Sequence, residues 1–328
     1  MTPDRPQPLT SFRKMKARLR LRACCLLPLA IIAVSCLALP ALAAADSRKI
    51  VFIRANFKPD HDSAMVDRFK ATLRERGYVE GKDIEYIDIL VNKSCREAVK
   101  QMLHATDLHQ ESSDLFVTAG WISLPARTKL AASNIPQLFA PVLREEAMVM
   151  LPSVSEEPGA NLSGVYLSYP PEKILRLTRQ LLPQIKNYAF VFDAQISTDL
   201  VLKTGFEKLQ EPDRHGMTVH YLNLAGGVEQ VLQQMKVLRI EAFGGIIGAY
   251  KNRDALAASG LPMITALIMD IEESEVAERI RESNMLAGLF HPLDHCGEQA
   301  GEMAADLLDG KKTLAATIPR PARQVAFV

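Results

Sequence analysis

Short apolar runs of strand type alternate with segments of helical periodicity along most of this chain. Residues 49–55 and Leu115–Ala119 are rich in the β-branched and aromatic residues that strands favour. Between them, apolar residues at Ala98, Val99 and Met102 recur at helical spacing. Repeated β-α-β units require right-handed crossovers and a mainly parallel sheet, so the alternation predicts an α/β fold.

The alternation occurs in two series, which predicts two similar α/β lobes. The strands expected in the first series are residues 49–55, 84–90, 115–119 and 136–142. Those expected in the second series are residues 188–193, 217–222, 242–249, 262–268 and 285–290. Pro158-Gly159 supplies turn chemistry between the two series, and we expect the first crossing between the lobes near Gly164.

Residues 1–45 have the composition of a secretory signal peptide. Seven Lys and Arg residues precede an apolar run at 24–42, which ends in Ala-Leu-Ala-Ala-Ala. A basic region, an apolar region and an A-x-A exit form such a leader, so we expect export, with cleavage after Ala43 or Ala45. An uncleaved anchor is an alternative, although the run is marginal against the roughly 20 residues of a spanning helix. A lipoprotein processed at Cys36 is another alternative.

The charge balance beyond residue 45 argues against nucleic acid or an anionic membrane as a partner. The whole chain has 39 Lys and Arg residues against 38 Asp and Glu residues. Without the leader there remain 32 basic and 37 acidic residues, a net charge of −5, and no basic run. Polyanionic partners are recognised by concentrated positive charge, which this part of the sequence lacks.

Three segments of the chain carry the motifs of one known family. Residues 69–84, FKATLRERGYVEGKDI, resemble the "F…L…GYVEGKNI" of the ABC-transporter substrate-binding family that includes the tryptophan- and tyrosine-uptake lipoproteins. Residues 158–165, PGANLSGV, resemble its "PGGNITGV", and residues 297–310, GEQAGEMAADLLDG, resemble its closing "G-x-QA-x-EMA…L-x-G". The three segments keep the family's order and spacing, so together they are more specific than any one of them.

The resemblance implies the type I periplasmic-binding-protein fold, with two Rossmann-like lobes whose parallel sheets are joined by a hinge. In that fold the chain returns to the first lobe for its last strand–helix unit, here about residues 286–310. The expected lobes follow from this return. Lobe 1 would comprise residues 46–164 plus 286–313, and lobe 2 would comprise residues 165–285 plus 314–328.

Two cysteines lie beyond the leader, Cys95 and Cys296. In an oxidising compartment they either pair or remain separate buried thiols, and the residues alone leave both possibilities open. The resemblance implies that both lie on one lobe, which slightly favours a disulfide.

The sequence departs from the family pattern at three places. Gly120-Trp121-Ile122-Ser123 replaces a Gly-Thr step, where a hydroxyl and helix amides can hold a carboxylate; Ser123 or the amides would serve here. Lys251-Asn252 replaces an acidic residue before Asn, and a lysine favours an anionic group on the ligand. The "G-x-D-Y" step before the last helix is replaced by residues 290–294.

In two facing α/β lobes the carboxyl ends of the strands border one shared cleft, where ligands bind. Trp121 follows a strand at this edge and could stack on a ring or an apolar ligand, whereas core packing is the alternative. For the polar candidates the alternative is a solvated loop. The residues that we expect to line the cleft are Phe57, Asp60, Trp121, Ser123, Asp193, Tyr250, Lys251 and His291.

The hypothesis that follows is an exported solute-binding protein of an ABC importer, not an enzyme, which requires no cofactor. It would close on a small aromatic or carboxylate-bearing molecule and present it to a membrane permease. A periplasmic ligand-sensing subunit that signals to a membrane sensor kinase is the runner-up. A periplasmic metal-binding protein that uses His61, His291 and His295 is a third hypothesis. The sequence contains no nucleophile elbow, P-loop or H-E-x-x-H motif.

Overall fold

Two six-stranded sheets form the framework of the protein. A computed structural model describes residues 47–55, 63–91, 95–131, 135–151, 161–269, 272–282 and 285–327. The first sheet has the strand order β11-β5-β4-β3-β1-β2, and every neighbouring pair in it is parallel. Its strands are β1 (Arg48–Ala55), β2 (Ile84–Val91), β3 (Leu115–Ala119), β4 (Gln137–Leu143), β5 (Leu162–Leu167) and β11 (Arg320–Pro321).

The second sheet has the order β12-β10-β9-β8-β6-β7 and is parallel except for the last strand, which runs antiparallel to its neighbour. Its strands are β6 (Asn187–Phe192), β7 (Thr218–Asn223), β8 (Ala242–Gly244), β9 (Met263–Met269), β10 (Met285–Pro292) and β12 (Val325–Phe327). Two parallel sheets with covering helices confirm the predicted α/β fold of two lobes.

Helices cover both faces of the sheets. In chain order they are α1 (Ala64–Glu75), α2 (Cys95–His109), α3 (Ser123–Leu130), α4 (Arg144–Met150), α5 (Pro171–Leu181), α6 (Ser197–Glu207), α7 (Val228–Val237), α8 (Ile247–Lys251), α9 (Arg253–Leu256), α10 (Glu273–Glu282) and α11 (Leu293–Leu308). The helical spacing of apolar residues in the sequence explains why these segments form helices. In α1, for example, Met65, Phe69 and Leu73 share one buried face, and Gly77 at φ 95° follows the end of the helix.

The central strands are apolar on both faces because helices cover both sides of the sheet. In β1, Ile50 and Phe52 belong to the apolar cluster that contains α1 and α11. Val51 and Ile53 belong to the cluster that contains α2 and α3. A near-continuous apolar run is typical of parallel strands buried on both faces.

Three crossings join the lobes, and they differ from the expected boundaries. Gly164 lies inside β5, where it pairs with Phe139, so the first crossing comes later, at residues 168–170 before α5. The third crossing, at residues 322–324, links β11 in the first sheet to β12 in the second. The structure thus keeps all of β5 and also β11 in the first lobe.

The second crossing divides the strand–helix unit that we expected to return whole to the first lobe. Strand β10 pairs with β9 from Met285 to Pro292 and therefore belongs to the second sheet. Only α11 reaches the first lobe, where it packs against α1. The physical reason is non-local: the apolar pattern of β10 predicts a buried strand, but it does not specify the sheet that the strand joins.

The predicted strand at 242–249 is also shorter than expected. Strand β8 ends at Gly244, and α8 begins at Ile247. The carboxylate of Asp199 accepts hydrogen bonds from the backbone N–H groups of Ile247 and Gly248, at 3.0 Å each. These two amides are bound by a side-chain acceptor instead of a neighbouring strand, and the chain turns into a helix.

The two cysteines lie on opposite sides of the first sheet. Cys296 is a buried cysteine on α11, in the cluster that contains Ile50 and Phe52. Cys95 begins α2, whose buried residues pack with Val51 and Ile53 on the other face. The backbone thus places Cys296 and the start of α2 on different faces of the sheet, which does not favour the disulfide that the resemblance slightly favoured.

Across residues 47–327, as far as the structure describes them, no helix is both long enough and apolar enough to cross a bilayer.

Candidate functional site

A groove lies between the two lobes beside the first crossing. It offers about 300 Å³ of free space, part of it open to solvent. The first lobe contributes the end of β4 and the start of α4, and the second lobe contributes α6 and the segment after β8. The lining residues are Leu143, Glu145, Tyr169, Pro171, Thr198, Val201, Leu202, Gly205 and Ile246. The groove therefore lies beyond the carboxyl ends of strands from both sheets, where α/β proteins bind ligands.

Most of the residues that line the groove have apolar side chains, although polar atoms contribute a comparable share of its exposed surface. Glu145 and Thr198 are the two lining residues with polar side-chain groups, apart from the phenol of Tyr169. The adjacent Glu146 has a structural role, since its carboxylate accepts the N–H of Leu143 at 3.3 Å, and burial raises its pKa. Of the two neighbouring acids, Glu145 is the exposed one. The groove thus combines an apolar body with a carboxylate and a hydroxyl.

Asp199, which the sequence analysis did not single out, organises the second-lobe side of the groove. Its carboxylate is fully buried and accepts backbone N–H groups from Asp193, Ile247 and Gly248, at 3.0 Å each. Burial raises the pKa of this carboxyl, and the three hydrogen bonds oppose that shift. The side chain therefore joins the loop after β6 to the start of α8. The sequence feature that could have pointed to Asp199 is its position as an acidic residue in the first turn of a helix.

Two predicted lining residues of the first lobe lie within the described chain. Trp121 is part of a short 3₁₀ turn, Gly120–Ile122, and packs against the apolar cluster beneath α2 and α3. Ser123 is fully buried, and its backbone carbonyl accepts a hydrogen bond from Gln137 Nε2 at 3.2 Å. Ser123 is thus enclosed in the lobe, away from solvent. Phe57 and Asp60 lie outside the described residues.

The predicted residues of the second lobe lie close to the carboxyl ends of its strands. Asp193 directly follows β6 and accepts the N–H of Gln195 at 2.8 Å. The ring of Tyr250 on α8 lies 4.6 Å from the guanidinium carbon of Arg253. Lys251 is exposed at the last position of α8, one helix beyond the strand rather than at its end. Asp199 brings this group together, because it binds both the Asp193 amide and the start of α8.

His291 lies in the hinge rather than in the wall of a cleft. Its side chain is almost fully buried at the end of β10. Nδ1 is 3.0 Å from the carbonyl oxygen of Arg323, and Nε2 is 3.1 Å from the carbonyl oxygen of Ser168. The ring also makes an edge contact with Tyr169 at a centroid distance of 4.8 Å. A buried ring with these partners cannot line an open cleft, so the expected ligand role of His291 is corrected.

The proposed histidine metal site is not assembled by the described residues. His295 Nε2 pairs with Glu273 Oε2 at 2.8 Å, and both ring nitrogens of His291 face backbone carbonyls. No cluster of three or more His, Cys, Asp or Glu side chains suitable for a metal occurs in this part of the chain. His61 lies outside the described residues.

Burial lowers the pKa of His291, which makes a prediction about acid stability. The unfolded chain has the ordinary histidine pKa of about 6.5, so it takes up a proton at a higher pH than the folded protein. We expect this histidine's contribution to the unfolding free energy to fall as the pH drops below about 6.5, until the folded-state pKa is passed. Urea denaturation of the wild type and of His291→Gln between pH 7.5 and 5 measures the difference.

The matched control for this experiment is His220→Gln, which removes a half-buried histidine from edge strand β7, away from the crossings. It should keep the wild-type dependence of stability on pH over the same interval. Identical slopes for the wild type and His291→Gln would contradict the prediction.

Known proteins resemble this chain in structure rather than in sequence. No protein-family model matches the chain, and no curated protein matches it. A substrate binding protein with adhesive properties from Clostridium difficile, in a ligand-free, open structure, has a TM-score of 0.67 and 17% identity, over 86% of this chain and 92% of that chain.

Two further solved structures share the fold. An ABC domain in complex with L-Trp from Streptococcus pneumonia has a TM-score of 0.59 and 17% identity, over 85% of this chain and 91% of its own. A sugar-binding protein of a sugar ABC transporter from Bacillus halodurans has a TM-score of 0.60 and 11% identity, over 86% and 97%. At these identities the similarity concerns the fold. That fold is the one of ABC-transporter substrate-binding proteins, as the sequence resemblance predicted.

Proposed function

We propose that this protein is a solute-binding protein of an ABC importer and is not an enzyme. The observation that carries the proposal is the groove between two lobes that three crossings join, at the carboxyl ends of strands from both sheets. The structural neighbours support it, since a substrate binding protein and the sugar-binding protein of a sugar ABC transporter share this fold. A solute that contacts both lobes shifts the population towards a closed form, which a membrane permease would then receive.

The leader supports a place of action outside the cytoplasm. The basic, apolar and A-x-A regions of residues 1–45 are those of a secretory signal peptide, and these residues lie outside the described part of the chain. We propose that the protein is exported to the periplasm, where a solute-binding protein meets its substrate before the permease does.

The groove also suggests the kind of solute. Its apolar walls favour an aromatic or aliphatic body, and Thr198 and Glu145 can accept hydrogen bonds from the solute. Lys251 is the exposed cation at the end of α8, the short helix that follows Ile246 of the groove wall. We propose that the solute has an apolar body, that a carboxylate on it would favour Lys251, and that an amine would favour Glu145.

Filling the groove should abolish solute binding without unfolding the protein. We expect aromatic carboxylates from a metabolite screen to raise the Tm of the mature protein, because a ligand selective for the native state stabilises it. The substitution Val201→Trp places a large ring in the groove and should remove the shift in Tm. Differential scanning fluorimetry of both proteins with the same compounds measures this.

The control is Val237→Trp on α7, at a position with 81% of its surface exposed. It introduces the same side chain away from the groove and should keep the full ligand-induced shift. A shift that persists in Val201→Trp would show that the solute does not use the groove.

A further inference from the structure

All three crossings between the lobes meet around one buried side chain. His291 lies immediately before the second crossing, and only 1% of its surface is exposed. One ring nitrogen faces Ser168 in the first crossing, and the other faces Arg323 in the third. The His291 ring therefore lies within hydrogen-bonding distance of both the first and the third crossing.

Gln324 completes the group from the third crossing. Its Nε2 lies 3.3 Å from the carbonyl oxygen of Ser168 and 3.4 Å from Nε2 of His291. The side-chain amide of Gln324 can therefore donate one hydrogen bond to Ser168 in the first crossing and one to His291 beside the second crossing. The third crossing is also held to α11, because Arg323 N donates to Gln299 Oε1 at 3.2 Å.

These distances favour one arrangement of hydrogens. A neutral imidazole has one N–H donor and one bare acceptor nitrogen. With the proton on Nδ1, the ring donates to the Arg323 carbonyl, while Nε2 accepts from Gln324, which also donates to Ser168. The opposite tautomer would leave Nδ1 facing a carbonyl oxygen with no proton between them. In the Nδ1–H form, Nε2 and the Ser168 carbonyl oxygen face each other as acceptors at 3.1 Å, and Gln324 Nε2 supplies a donor to each of them.

We propose that His291 and Gln324 form a clasp that couples the three crossings, so that they bend as one hinge. The ring cannot exchange its partners for water while it stays buried. Moving one crossing alone would leave a buried carbonyl or ring nitrogen without a partner, which is costly. Movement of all three together keeps the hydrogen bonds. The role is a positioning one, since neither side chain lines the groove.

Hydrogen exchange of the ligand-free protein tests the clasp. His291→Phe keeps an aromatic ring against Tyr169 but removes both nitrogens, and Gln324→Ala removes the amide from a half-buried position. The reporters are the amides of Lys173, after the first crossing, and of Ala322, in the third, which donate to Pro170 and Tyr166. We expect both amides to exchange about tenfold faster in each variant, while amides in the centres of the sheets are unchanged.

The matched control is His220→Phe, which removes a histidine that contacts Asn187 on the neighbouring strand at 3.2 Å, away from the crossings. It should leave both reporters at the wild-type rate. Acceleration at only one crossing, unchanged rates in both clasp variants, or an equal effect in His220→Phe would overturn the proposal. Because no solute is present, these outcomes are independent of the groove-filling experiment.

Discussion

Replacing Gly297 by alanine should lower the unfolding free energy by about 3 kcal/mol, the cost of overpacking a close helix contact. A methyl group at this position would overlap the backbone of Met65, where α11 lies directly on α1. Backbone atoms cannot rotate away as a side chain does, so the two helices would have to separate. Urea denaturation gives the free energy, and a thermal scan should show a loss in Tm of roughly 6–12 °C.

The direction of the change in unfolding free energy distinguishes overpacking from helix propensity. In an ordinary helix interior, exchanging glycine for alanine stabilises by about 1 kcal/mol, so helix propensity alone predicts the opposite result. Glu302→Ala, at an exposed position of the same helix, should change stability by less than about 0.5 kcal/mol. If Gly297→Ala is neutral or stabilising, α11 does not approach α1 at this position.

Removing the Asp199 carboxylate should cost about 3 kcal/mol or more and should also weaken solute binding at least tenfold. The substitution Asp199→Ala leaves three backbone N–H groups without their acceptor, in a buried setting where each unmet donor costs about 1–3 kcal/mol. The start of α8 would lose its anchor, and Ile246 in the groove wall would lose its support. Urea denaturation and ligand titration measure the two effects.

Asp254→Ala is the matched control for this prediction, because Asp254 is an exposed carboxylate on the neighbouring helix α9. It should alter neither stability nor affinity by more than a small factor. Full affinity in a folded Asp199→Ala protein would show that the groove does not depend on the position of α8.

The clasp and the Asp199 anchor act at two different places in the protein. Asp199 shapes the wall that a solute would contact, and it does so within one lobe. His291 and Gln324 act between the lobes, where the chain crosses three times. A variant of the first kind should change affinity at a fixed hinge, whereas one of the second kind should change the freedom of the hinge itself.

The alternation of strands and helices was determined by the sequence alone. The continuous apolar run of β1 predicts a strand buried on both faces, and the single buried face of α1 follows from a period of about 3.6 residues. Both patterns are local properties of the chain. The two series of units, and the segments that resemble substrate-binding proteins, were sufficient to predict two α/β lobes. The same local pattern placed Asp193 directly after a strand, where the structure has it, whereas Tyr250 and Lys251 lie on α8 and not at the end of the strand predicted there.

Only the tertiary structure decided which sheet each late strand joins and which polar side chains become buried. The apolar pattern of β10 would allow this strand to pair with any of several others, and the structure pairs it with β9. His291 lies at the end of β10 and Ser123 at the start of α3, and the sequence favoured an open cleft for both, yet both are buried. Strand pairing and burial depend on residues far away in the chain, whereas the periodicity of a sequence reports only the environment of its neighbours.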